Sequence, residues 1–178
     1  KIGENKVSKF YLKNELEGIK WYAKRLKLSE KSLMYDYKFS KKYSQIDIKK
    51  LNGKQRKFYA STYTNESFLH LSMNHYKKYW PKSKIVPAHG DLTLDNIIFR
   101  KSELNFFDWE HFNKNGEVWG FDLAYLIISS LVLPTNNNYN FSERDEKIFC
   151  KLWKRLNYIG LSGEIKNEKI TYFKKIFT

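Results

Sequence analysis

The stretch His89-Gly90-Asp91-Leu92-Thr93-Leu94-Asp95-Asn96 is followed by Ile97-Ile98-Phe99-Arg100, Lys101-Ser102-Glu103 and Leu104-Asn105-Phe106-Phe107-Asp108-Trp109-Glu110. Residues 96–100 and 104–108 read as two strands joined by three polar residues. A hairpin with such a loop pairs residue 100 with 104. Followed back, that register sets Asn96 opposite Asp108 at the open end of the hairpin. A carboxylate and an amide oxygen side by side are hard ligands, better suited to Mg²⁺ than to zinc. Asp91, in the loop that feeds the same strand end, is placed to accept a proton from a substrate hydroxyl. One acid for a nucleophile and two oxygen donors for a metal are the equipment of phosphoryl transfer, where positioning and charge neutralisation do most of the work. The plainer reading makes Asp91 and Asn96 turn formers and Asp108 a strand-end cap. His70, His75 and His111 read as structural, since no metal-ligand spacing links them.

The elements that must position these residues can be read from spacing. Lys6 to Leu12 reads as a short strand. Asn14 then caps a helix from Glu15 to about Lys27, with Leu16, Ile19, Ala23 and Leu26 on one stripe. Leu33–Phe39 and Tyr43–Ile48 read as an antiparallel pair of strands around Ser40-Lys41-Lys42. The polar stretch 49–54, with Gly53, is a candidate linker. Beyond it the chain becomes mostly helical. Asn65 to Trp80 puts Phe68, Leu71, His75 and Tyr79 on one face, and Pro81 closes the helix. Phe121 to Leu133 is a buried apolar helix. Ser142 caps another, with Asp145 and Glu146 in its first turn and Gly160 as its stop. A last helix ends the sequence. The fold class is therefore α+β.

Composition sets the bounds. The 178 residues are 42% hydrophobic, enough for a core, and no apolar run reaches the roughly 20 residues that span a bilayer. A lone cysteine, Cys150, excludes an internal disulfide framework and suits a reducing, cytoplasmic setting. The formal charge of +14 and 17% aromatics raise a nucleic-acid reading. The lysines are spread along the chain, however, which favours a solvated surface.

H-G-D-L-x-x-x-N, a short hairpin and then D-W-E resembles the catalytic core of the aminoglycoside phosphotransferase and choline kinase superfamily. Trp119-Gly120-Phe121-Asp122-Leu123-Ala124 is similar to its D-L-A segment. The resemblance implies a protein-kinase-like fold of two lobes. Residues 1–51 would be a partial, β-rich lobe on the nucleotide side. Residues 52–178 would be a helical lobe with catalytic loop 89–96 and metal-binding hairpin 96–110. It implies Asp91 as catalytic base, Asn96 and Asp108 as Mg²⁺ ligands, and His89 and Asp122 as braces of the loop. It also implies a strand lysine paired with a helix glutamate to hold the nucleotide phosphates. Lys9 and Glu15 are taken for that pair, Glu15 being favoured over Glu17 by the E-x-x-G-I pattern. Leu51-Asn52-Gly53 fits the hinge that would meet adenine. Gly90 and Asp108-Trp109-Glu110 stand where protein kinases have the arginine of H-R-D and the D-F-G, so control by activation-loop phosphorylation is not expected.

The expected activity is ATP- and Mg²⁺-dependent transfer of the γ-phosphate to a hydroxyl of a small molecule: choline or ethanolamine, an amino sugar, or another sugar-like alcohol. Trp109, Trp119 and Tyr125 could face a cationic head group or pack in the core. Only eight residues precede Lys9, too few for the phosphate-covering strands and loop that the resemblance places upstream of that lysine. A catalytically weak remnant or binding module is thus one alternative. A basic nucleic-acid-binding domain is another. Membrane insertion is not expected, and the sequence does not specify an oligomeric state.

Overall fold

The computed structural model describes residues 1–40, 44–48, 54–55, 62–100, 103–131 and 142–158. It is a mixed α+β structure with three small antiparallel sheets. Strand β1 (Ile2–Gly3) leads at once into helix α1 (Lys6–Leu26). Lys6 to Leu12 is therefore helix, not strand, and Asn14 lies inside α1 instead of capping it. The cap is Asn5, whose Oδ1 accepts from the Ser8 N–H and the Ser8 hydroxyl, both at 2.8 Å. The apolar stripe extends one turn upstream of the expected helix, through Leu12, Leu16, Ile19 and Ala23, all buried. Lys27, in the left-handed conformation, ends the helix while the Leu28 N–H reaches Ala23 O at 2.9 Å.

Strands β2 (Met34–Phe39) and β3 (Ser44–Ile48) pair as expected, and β1 joins the far edge of β3, giving the order β1-β3-β2. The linker and hinge positions 49–53 lie outside the described residues. A second sheet has the order β4-β6-β7, from β4 (Lys54–Gln55), β6 (Ile97–Arg100) and β7 (Glu103–Phe106). Helix α2 (Thr62–Tyr79) precedes β5 (Ile85–Ala88). Its buried face runs through Leu69, Met73, Tyr76 and Trp80. The expected face is rotated from this one, since Leu71 is 41% exposed. Strand β5 pairs with β8 (Asn113–Val118), which sequence reading did not anticipate. Helices α3 (Phe121–Leu131) and α4 (Glu143–Tyr158) follow β8. Ser142 caps α4 reciprocally with Asp145: its N–H and hydroxyl reach Asp145 Oδ2 at 2.9 and 2.7 Å, and the Asp145 N–H returns to Ser142 Oγ at 3.3 Å. Gly160 and the final helix lie outside the described residues.

Side chains of α1, β3, α2, β5, β7, α3 and α4 form one buried apolar cluster. At its centre Tyr22 stacks on Phe106, centroids 5.8 Å apart, and its hydroxyl accepts the Phe106 N–H at 3.1 Å. This ties α1 directly to the strand that ends just before Asp108. Among the described residues, no helix is long and apolar enough to cross a membrane.

Candidate active site

Strand β5 delivers the chain into His89, and α3 returns to meet it. Asp122, in the first turn of α3, is fully buried. Its Oδ2 accepts the His89 N–H at 2.9 Å and its Oδ1 the Gly90 N–H at 3.0 Å. Burial lifts its pKa to about 6, against the pull of those two donors. The backbone of the loop is thus held by one carboxylate. Gly90 has φ +85°, and an added β-carbon would lie 2.2 Å from the carbonyl oxygen of His111. Only glycine fits there.

His89 is buried under Trp109, ring centroids 4.4 Å apart, and burial holds its pKa down at about 4. Its Nε2 lies 2.9 Å from Phe107 O. A carbonyl can only accept, so Nε2 carries the proton and Nδ1 is left to accept the Asp91 N–H at 3.4 Å. His89 therefore links the Asp91 loop to the segment that carries Asp108. Asn96, also buried, donates from Nδ2 to the Asp91 carbonyl at 2.8 Å and to its carboxylate at 3.3 Å. That leaves Asn96 Oδ1 as the atom available to a cation.

Asp108 arrives by a register one residue tighter than expected. Arg100 pairs with Glu103 and Ile97 with Phe106, so two residues connect the strands instead of three. Asn96 is consequently met by Phe107, whose N–H donates to Asn96 O at 3.1 Å. The chain then turns sharply, and Asp108 adopts φ +65°. Aspartate tolerates this conformation better than most residues.

Helix α1 supplies the other wall. Glu15 is 1% exposed, and Gly18, one turn on, lies against Trp109. Asn14 Nδ2 donates to the Glu110 carbonyl at 3.1 Å. The cation between these acids is Lys1. Its Nζ meets Glu15 Oε2 at 3.1 Å, Glu110 Oε1 at 2.9 Å, and the Asp108 carboxylate. Burial works against the Lys1 ammonium, but the surrounding carboxylates outweigh it and raise its pKa. Burial also lifts Glu15 to about 7, with Lys1 opposing. Both partners shift upward because Lys1 faces three acids while Glu15 is the deepest of them.

The lysine paired with Glu15 is therefore Lys1, next to β1, and not Lys9. Lys9 sits on α1, in a shallow groove with Lys6, Phe10, Lys13 and Phe39. Sequence reading also passed over Glu110, although it stood inside the D-W-E motif. Trp109 and Trp119 are buried and belong to the core. Tyr125 is 36% exposed; burial, then the charge of Asp91 and a hydrogen bond with it, raise its hydroxyl pKa.

The oxygens of Glu15, Asp108 and Glu110 lie within 4.8 Å of one another. Lys1 Nζ occupies the centre of these three carboxylates, and an oxygen such as that of Asp108 or Asn96 is a hard donor of the kind Mg²⁺ takes. Compared with known proteins, the chain matches no family model, no curated protein and no solved structure.

Proposed function

We propose that this chain is a kinase of small molecules with a protein-kinase-like, two-lobed fold, acting in the cytoplasm on ATP. The observation that carries the reading is the Lys1–Glu15 pair set against Asp108, beside a loop in which Asn96 holds Asp91. A hydroxyl of the acceptor gives its proton to the Asp91 carboxylate as its oxygen attacks the γ-phosphorus. The new O–P bond forms as the bond to ADP breaks. Asn96 and Asp108 would hold Mg²⁺, which neutralises charge on the phosphate oxygens. Lys1, fixed by Glu15, pairs with the phosphates. His89 and Asp122 hold the loop and do not touch the reacting atoms.

The acceptor is an alcohol such as choline, ethanolamine, an amino sugar or another sugar-like molecule. With Trp109 and Trp119 in the core, Tyr125 is the aromatic that supports a cationic acceptor. The test is an ATP-consumption screen over these alcohols with wild-type and Asp91→Asn protein. The expected result is turnover with one acceptor class, reduced by about 10²–10⁴ in the variant. Asp108→Ala should remove Mg²⁺-dependent nucleotide binding. Unchanged turnover in Asp91→Asn, or a wild-type protein that binds no Mg²⁺–nucleotide in titration calorimetry, overturns the reading.

A further inference from the structure

Glu110 has no part in the chemistry proposed above, yet it is one of three acids on Lys1. The three are not equivalent. Glu15 is part of α1, and Glu110 is tied to α1 by the bond from Asn14 Nδ2 to its carbonyl at 3.1 Å. Asp108 belongs to the end of the hairpin and makes no such bond to α1. Of the three, Asp108 is also the one the kinase reading needs for another partner. A carboxylate oxygen held by an ammonium is a poorer ligand for a cation, so Lys1 must be kept by the remaining acids if Asp108 is to turn away. Glu15 alone is one acid, deeply buried; Glu110, with Oε1 at 2.9 Å from Lys1 Nζ and 37% exposed, is the second.

We propose that Glu110 is a positioning residue: together with Glu15 it holds the Lys1 ammonium to α1, so that Asp108 can release it for a cation. The role of Asp108 in this rests on the kinase reading; the hold of Glu110 on Lys1 does not.

Two measurements on Glu110→Gln decide it. The variant is nearly isosteric, and the bond from Asn14 goes to the main chain, so the fold should persist; thermal melting checks this. The first measurement is the rate of reductive methylation of Lys1 Nζ, read by peptide mass spectrometry that localises the modification to that side chain. The expected rate is about threefold above wild type, the scale of one partly exposed ion pair. Glu110→Asp should restore part of the protection. An unchanged rate, with a faster one in Glu15→Gln, overturns the proposal. The second is the Mg²⁺ concentration at which an ATP analogue binds, expected to rise about threefold in Glu110→Gln. That shift should vanish when Lys1→Met is the starting protein. A shift that persists without Lys1 means Glu110 acts by itself, and overturns the proposal. If the wild-type protein binds no Mg²⁺–nucleotide at all, the kinase reading fails, while the methylation rates still decide whether Glu110 holds Lys1.

Discussion

Gly18 of α1 lies so close to Trp109 that a β-carbon added to it would sit 2.5 Å from Trp109 Cβ. One turn before it on the same face is Glu15, so this contact sets how near Glu15 comes to Asp108 and Glu110. Overpacking a filled core costs about 1–3 kcal/mol, and alanine returns up to about 1 kcal/mol of helix propensity. Gly18→Ala should therefore lower stability in urea by about 1–2 kcal/mol. It should also expose Lys1 Nζ to methylation, because α1 has to move away from the hairpin.

If the chain is the proposed kinase, Lys1 and Lys9 compete for the role of phosphate-pairing lysine, and the Lys1–Glu15 ion pair favours Lys1. Lys1→Met should raise the KM for ATP by about tenfold or more, equivalent to about 1.4 kcal/mol of lost binding. Lys9→Met should leave it within about twofold. Steady-state kinetics at fixed acceptor separates the two. The reverse order would return the assignment to α1.

Gly90 combines a left-handed backbone with a main-chain oxygen 2.2 Å from where a β-carbon would go. Neither obstacle can be relieved by a side-chain rotation. Gly90→Ala is expected to cost about 2 kcal/mol or more. On the proposed kinase reading, phosphotransfer should fall further than stability explains, since the next residue is Asp91.

Across mild acid two opposing sets of groups titrate, and because His70 and Glu66 are also held below their ordinary values the net stability should fall on acidification. Burial raises Glu15 to about 7 and Asp122 to about 6. Both bind protons more tightly when folded, so their contribution is full at low pH and is lost as pH rises through those values. Burial lowers His75 and His89 to about 4, and their contribution is present above the ordinary histidine value and lost as pH falls. His75→Gln removes one acid-sensitive group that lies away from the site. Its unfolding free energy, measured in urea at pH 4.5 and 6.5, should fall less on acidification than that of the wild type. An equal or steeper fall contradicts the assignment of His75 as buried and neutral.

How much of this was legible in the sequence depends on whether a local signal existed. The loop 89–96 was readable from the order His89-Gly90-Asp91 with Asn96 behind it, and its bracing by Asp122 only through the family resemblance. The antiparallel pair β2–β3 and the capped helix α4 were readable from alternation and from Ser142 with Asp145. The start of α1 was not, because Val7 and Phe10 remain 63% and 59% exposed and blur the helical stripe. Asn5 was the missed signal, three residues ahead of the serine it caps. Strand β8 was hidden for a different reason: its polar residues have no period-two pattern, and only pairing with β5 makes them a strand. The hairpin register turned on a single loop residue, which propensity does not resolve. Lys1 had no local signal at all, since its partners lie 14, 107 and 109 positions away.

Three indoles mark the seat of α1. Trp21 on the helix has its ring centroid 4.9 Å from that of Trp80 and 6.1 Å from that of Trp109, and the latter two are 6.3 Å apart. Rings this close quench and couple to one another, so their emission depends on spacing at the ångström scale. The protein thus carries its own optical gauge: ultraviolet fluorescence and near-ultraviolet dichroism register, without any label, whether the helix bearing Glu15 is docked against the Asp108 turn.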